Sequence, residues 1–140
     1  MKVLLDTCTL AEIRRPDGSP LVKSAVSEVP EDDLFLSVLT VGEVVKGIDL
    51  LAAGRKKQAL TSWLVALEAR FGDRILGVDV ETGRIWGSLT ARAQKSGVII
   101  PGPDGLLAAT ALRHGLHVMT RNTRHFEPSG ALVIDPWQGA

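Results

Sequence analysis

The sequence predicts an α/β fold in which a parallel sheet carries helices on both faces. Short, continuous apolar runs alternate along the chain with segments whose apolar residues follow helical spacing, and this alternation is typical of βαβ units. Because the runs contain no polar alternation, they suit strands that are covered on both sides. The 140 residues, of which 45% are hydrophobic, are enough for a single domain over 1–140 with its own core.

Five apolar runs are predicted to be the strands of this sheet. Each has the length and apolar content of a buried strand. They lie at Val3–Leu5, directly before Asp6, and at 34–38, 75–78, 116–120 and 131–134.

The segments between the strands are predicted to be helices. Thr40 and Glu43 form a capping-box pattern that predicts a helix start, with Thr40 as the N-cap. Asp79 is predicted to cap a later helix whose inward face includes Trp86. Together the helices are predicted at 21–29, 40–51, 55–72, 79–97 and 104–115, and the prolines and glycine of 11–20 limit any helix in that segment to a short one.

The segment 98–126 brings an acid to the start of the last long helix. Two prolines lie just before Asp104, and proline is favoured in the first turn of a helix. The strand at 116–120 then leads into Arg121 and Asn122. Ligands of open α/β sheets bind at the carboxyl ends of the strands, so these side chains are predicted to border one crevice.

Composition excludes several classes of protein. Acidic and basic residues balance at 16 each, so any binding of nucleic acid must depend on a local basic patch. The single cysteine, Cys8, excludes an internal disulfide and is typical of a reducing compartment. No window approaches ~18 uninterrupted apolar residues, and the N-terminus has no signal-peptide pattern. We therefore expect a cytoplasmic protein with no membrane contact.

Three acids at the edges of elements are candidates for chemistry. Asp6 follows the first strand, whereas Glu43 and Asp104 each begin a helix. Clustered carboxylates raise one another's pKa, and a hard cation such as Mg²⁺ relieves that repulsion and activates water for phosphodiester hydrolysis. Each acid also has a structural interpretation, as a capping-box glutamate, a charge at a helix dipole, or an aspartate bonded to nearby amides.

The sequence lacks the glycine-rich motifs that bind nucleotide phosphates. Neither G-x-x-x-x-G-K-[ST] nor G-x-G-x-x-G occurs, so phosphoryl chemistry is predicted to use a metal and not a nucleotide cofactor. Arg121 lies near the predicted crevice and is a candidate for holding a phosphate backbone. A metal-dependent phosphatase of another α/β family is an alternative. The best-known such family needs a D-x-D pattern after its first strand, and Cys8 breaks that pattern.

Three stretches of the chain resemble the PIN-domain nucleases, in the VapC-type branch that includes FitB. They read LLDT at 4–7, SVLTVGEVVKGI at 37–48 and PDGLLAATALRHGLHVMTRNTRHF at 103–126, and the similarity continues along nearly the whole chain. The resemblance implies a three-layer α/β/α sandwich with a parallel sheet of about five strands. It also implies an endoribonuclease that depends on Mg²⁺ or Mn²⁺ and cuts transfer or ribosomal RNA.

The same resemblance implies roles for individual residues and for partners. Asp6 and Asp104 are expected to be direct metal ligands, Glu43 to act beside them as the third catalytic acid, and Thr7 and Asn122 to support these acids. VapC-type proteins are toxins that form homodimers and are inhibited by a cognate antitoxin. They reach DNA only through that antitoxin.

The chain departs from this pattern at two positions. Many relatives carry a fourth acid where this chain has His125, and an asparagine where it has Cys8. The loss of a negative charge at His125 predicts weaker binding of a second metal, although histidine can also ligate Mn²⁺ or contact a phosphate. The alternative function is therefore a catalytically weakened PIN domain that serves mainly as the partner of a DNA-binding antitoxin.

Overall fold

Five short strands form a parallel sheet in the computed structural model, which describes residues 1–138. In chain order they are β1 (Val3–Leu5), β2 (Leu34–Ser37), β3 (Ile75–Leu76), β4 (His117–Met119) and β5 (Val133–Ile134). All five were predicted from the apolar runs, and β2 to β5 are one to two residues shorter at one or both ends. The prediction of a parallel sheet is confirmed.

The order of the strands across the sheet is β3-β2-β1-β4-β5. The chain therefore builds outward from β1 on one side and then returns to build β4 and β5 on the other. This reversal makes the carboxyl end of β1 a topological switch point, which is where ligands of open α/β sheets bind. Asp6 is the first residue beyond that end.

Helices cover both faces of the sheet, as predicted. Successive residues of β1 point to opposite faces, so Leu4 packs in one core cluster whereas Val3 and Leu5 pack in the other. The helices are α1 (Thr7–Arg14), α2 (Pro20–Ser27), α3 (Val38–Asp49), α4 (Arg55–Phe71), α5 (Val80–Lys95), α6 (Gly102–His114) and α7 (Thr123–Phe126). The first cluster contains residues of α5 and α6, and the second contains residues of α1 to α4.

The predicted capping box at the start of α3 is wrong. Helix α3 begins at Val38, because the Ser37 hydroxyl caps it by accepting a hydrogen bond of 3.0 Å from the Leu39 N–H. Thr40 therefore lies inside the first turn, where its buried hydroxyl has no hydrogen-bond partner within residues 1–138. Glu43 falls in the second turn of α3 and has no role in capping it.

Helices α5 and α6 begin and end close to their predicted limits. Asp79 caps α5, as predicted, and its Oδ1 atom accepts from the Thr82 N–H at 2.8 Å. Trp86 was predicted to face inward, but 38% of it is exposed, because it lies over the start of α6. A Cβ at Gly105 would approach the Trp86 Nε1 atom to 3.1 Å, so a glycine permits this close packing beside Asp104.

None of the helices within residues 1–138 combines the length and the apolar character that crossing a membrane requires.

Candidate active site

Asp6 is fixed at the carboxyl end of β1 by hydrogen bonds to both of its carboxylate oxygens. It caps α1, with Oδ1 accepting from the Thr7 N–H at 2.8 Å. Its Oδ2 atom accepts from the Thr120 hydroxyl at 2.7 Å. The residue is 6% exposed, so its carboxylate is held in one orientation at the floor of the crevice.

Asp104 enters from the first turn of α6 and is paired with a histidine. The His125 Nδ1 atom lies 2.8 Å from the Asp104 Oδ2 atom, and 19% of the Asp104 side chain is exposed against 52% for His125. Burial raises the pKa of the Asp104 carboxyl above its ordinary value, and repulsion from Asp6 adds to the rise, while His125 opposes it. Asp104 and Asp6 therefore act on each other electrostatically.

Glu43 reaches the same crevice from the second turn of α3. Burial raises the pKa of the Glu43 carboxyl, and repulsion first from Asp6 and then from Asp104 raises it further, while Thr7 and Lys46 lower it. The Thr7 hydroxyl lies beside Glu43. Its Oγ1 atom is buried and forms no hydrogen bond of ordinary geometry with any of residues 1–138. The structure thus brings together the three acids that the sequence singled out.

The donor set of this crevice suits a hard divalent cation held by few protein ligands. Its acidic oxygens come from three different elements. Burial raises the pKa of Glu43 and of Asp104, and the charge of Asp6 raises both further, so a cation between the three acids would relieve their repulsion. Within residues 1–138, no three His, Cys, Asp or Glu side chains are close enough to hold a metal ion together. A cation here would therefore be held by at most two of these side chains, with waters in its other positions, as Mg²⁺ often is.

The sequence profile of the PIN domain matches residues 3–130. The chain belongs to the PIN-domain family. The VapC ribonuclease Y4jK of Sinorhizobium fredii is 34% identical over 140 residues, which covers 99% of each chain. Toxin FitB of Neisseria gonorrhoeae is 35% identical over 136 residues, covering 96% of this chain and 98% of FitB. The solved structure of FitAB bound to an IR36 DNA fragment superposes with a TM-score of 0.92 at 33% identity, covering 96% of this chain and 95% of that one. The family and the fold predicted from the motifs are confirmed.

The loop after β4 supplies the polar rim of this PIN domain. Thr120 is fully buried, and its hydroxyl accepts from the Asn122 N–H at 3.0 Å while it donates to Asp6. Asn122 and Arg121 are exposed beside it, as the sequence predicted. Thr120 was missed as a site residue, because its partner Asp6 is 114 residues away and a threonine ending a strand is common. The sequence feature that could have indicated Thr120 is its position as the polar residue at the end of the apolar run 116–120.

The uncharged thiol of Cys8 lies beside Asp6. Its Sγ atom is 3.5 Å from the Asp6 Oδ2 atom and 3.6 Å from the Thr120 hydroxyl. Burial raises the pKa of the Cys8 thiol, and the neighbouring Asp6 carboxylate raises it further, while the Arg121 backbone N–H lowers it. The thiol is therefore a neutral neighbour of Asp6 at neutral pH.

Proposed function

We propose that this PIN domain is a metal-dependent endoribonuclease and the toxin of a toxin–antitoxin pair. The observation that carries the proposal is the convergence of Asp6, Glu43 and Asp104 at the switch point of the sheet. The PIN-domain family and the printed names of the relatives, a VapC ribonuclease and a toxin, support it.

Asp6 and Asp104 are the proposed ligands of Mg²⁺, or of Mn²⁺, and Glu43 acts beside them through water. When bound, the cation supplies charge for the phosphodiester and lowers the pKa of a water molecule. Glu43 is the proposed acceptor of a proton from water, because its carboxylate reaches the same crevice as Asp6 and Asp104. The hydrogen bonds from the Thr120 hydroxyl and the Thr7 N–H hold the Asp6 carboxylate in place.

The rim side chains complete the proposed site. Thr7 and Asn122 orient water and the acids, and Arg121 binds a phosphate of the RNA chain through charge-assisted hydrogen bonds. The proposed substrate is transfer or ribosomal RNA. A homodimer, a cognate antitoxin and DNA contact made only through that antitoxin are proposed as the assembly. The solved structure of FitAB bound to a DNA fragment supports the proposal of a complex that binds DNA.

The pairing of His125 with Asp104 favours a second candidate function. The imidazole of His125, at 2.8 Å, occupies a carboxylate oxygen of Asp104 that a cation would otherwise bind. A site with reduced demand for metal would cut RNA weakly and serve mainly to stabilise a DNA-binding antitoxin.

Cleavage of a pool of transfer and ribosomal RNA by antitoxin-free protein separates the two candidates. The reactions contain Mg²⁺, Mn²⁺ or a chelator, and the Asp104→Asn variant is run beside the wild type. Metal-dependent cutting that disappears in the variant supports the nuclease. Absence of cutting under every condition would refute it and favour the regulatory partner.

A further inference from the structure

An arginine and a tryptophan from two different loops stack at the edge of the crevice. The Arg121 Cζ atom lies 5.4 Å from the centroid of the Trp137 ring, within the range of a cation–π interaction. Strand pairing creates the contact, because Met119 pairs with Ile134 and the Thr120 N–H donates to the Ile134 carbonyl at 2.9 Å. Arg121 lies two residues beyond the end of β4, and Trp137 lies three residues beyond the end of β5.

Trp137 is held by its own turn and not by Arg121. The turn Pro136–Gln138 is a single 3-10 turn that follows β5. Its backbone is fixed by the Asp135 Oδ1 atom, which accepts from the Trp137 N–H at 2.9 Å, and Pro136 is buried. The backbone of Trp137 is therefore held independently of Arg121, and its indole offers a flat surface on which the Arg121 guanidinium rests.

The charge of Arg121 has no acidic partner within residues 1–138, although its side chain is ordered by the indole. Arg70, Arg74 and Arg113 each form salt bridges with carboxylates, whereas Arg121 forms none in that part of the chain. A guanidinium that stacks on a ring keeps its N–H donors at its edge, where they match the oxygens of a phosphate. Exposure of Arg121 leaves this edge open to solvent.

The stacked pair lies next to the proposed metal ligands. Thr120, the residue before Arg121, donates to Asp6 at 2.7 Å. We propose that Trp137 is a positioning residue that holds Arg121 as a phosphate-binding group for single-stranded RNA beside the cleavage site. This inference rests on the proposed function, since it takes RNA as the ligand.

Binding of a labelled single-stranded oligoribonucleotide, measured by anisotropy in chelator across a salt series, tests the inference without cleavage. Arg121→Ala is expected to weaken binding and to reduce the salt slope by about 0.7, the value for one phosphate contact on a single strand. Trp137→Leu is expected to weaken binding by about 2- to 5-fold, as expected from an exposed cation–π contact. The double variant is expected to bind no more weakly than Arg121→Ala, because Trp137 acts only through Arg121.

Arg124 provides the matched control, since it is an exposed arginine three residues away with no ring beneath it among residues 1–138. In the Arg124→Ala/Trp137→Leu double variant, the two fold-losses of RNA affinity are expected to multiply, because the two residues act independently. Arg121→Lys keeps the charge but not the flat fork, so it is expected to weaken binding while leaving the salt slope near that of the wild type. Trp137→Phe keeps a flat ring and is expected to retain most of the affinity. Trp137→Met, which removes the ring, replaces Trp137→Leu if that variant does not fold and is expected to show the same loss.

Several results would overturn the inference. One is unchanged binding in the variant that lacks the ring. Another is a Trp137→Leu loss that persists in the Arg121→Ala background and so marks direct stacking on a base. The third is a wild type that binds no RNA. The proposed function fails separately, if the wild type binds RNA but does not cut it with metal. Cutting by the wild type with unchanged RNA binding in the Trp137 variants would refute the inference alone.

Discussion

The Nδ1 atom of His125 lies 2.8 Å from the Oδ2 atom of Asp104, so a basic side chain occupies the space where a cation would neutralise that acid. Imidazole nitrogen suits Mn²⁺ and later transition metals better than Mg²⁺. We therefore expect the His125–Asp104 pair to influence the affinity of this crevice for a divalent cation.

Replacing His125 by aspartate is expected to increase the response of the protein to divalent cations. The substitution adds a carboxylate to an acidic cluster, which lowers the metal-free melting temperature and raises the affinity for Mg²⁺. Melting curves with and without Mg²⁺ measure both effects, and His125→Asn, which adds no charge, is the control. An equal shift on adding Mg²⁺ in all three proteins would contradict the expectation.

Asp104→Asn is expected to make the metal-free protein equally stable or slightly more stable at neutral pH. The raised pKa of Asp104 shows that its charged form is disfavoured in the fold, even with His125 beside it. A clear fall in the metal-free melting temperature would show that the bond to His125 outweighs the repulsion from Asp6.

The same two acids predict how metal-free stability changes with pH. An acid whose pKa is raised in the folded state binds its proton more tightly there than in the unfolded chain, so its contribution to stability falls as pH rises. For Asp104 and Glu43 this fall begins above their ordinary values of 3.8 and 4.5. The stability gain of Asp104→Asn over the wild type should therefore shrink to nothing as pH falls below 3.8. Chemical denaturation at a series of pH values measures the gain, and a gain independent of pH would refute this assignment.

Thr120→Val is expected to destabilise the protein and to impair cleavage. It removes a buried hydrogen bond to a carboxylate, a change that costs about 1.5–3 kcal/mol, and it frees Asp6 to turn away from its orientation. Thr110→Val is the matched control, because Thr110 is equally buried but bonds only the Leu106 carbonyl within its own helix. Denaturation and RNA cleavage on both variants test this, and equal losses of activity would remove Thr120 from the site.

Ser37→Ala and Thr40→Val are expected to change stability in opposite directions. Ser37 caps α3, and losing such a cap costs about 1 kcal/mol. The Thr40 hydroxyl is buried without a partner among residues 1–138, so replacing it by a methyl group of the same shape is expected to stabilise the fold. Denaturation of the two single variants is the measurement, and destabilisation by Thr40→Val would indicate a partner for that hydroxyl.

The strands and the three acids were predictable, because each depends on local pattern. A continuous apolar run predicts a strand, and Asp6 and Asp104 stand at boundaries that the sequence marks. Ser37 and Thr40 are both good capping residues three positions apart, so pattern alone could not choose between them. The choice depends on where β2 stops pairing with its neighbours.

Contacts between distant segments were not predictable. The bond from Thr120 to Asp6, the pairing of His125 with Asp104 and the stacking of Arg121 on Trp137 all depend on which strands are neighbours. The sequence indicates that strands exist but not their order, and that order determines which side chains meet.

The position of β1 between β2 and β4 has a consequence during synthesis. A nascent chain that has left the ribosome only as far as α6 has no β4 beside β1, and Asp6 lacks the hydroxyl of Thr120. The crevice can be assembled only when nearly the whole polypeptide has been translated. A chain cut short before β4 would therefore lack Thr120 and the residues that follow it, so it could not form the complete crevice.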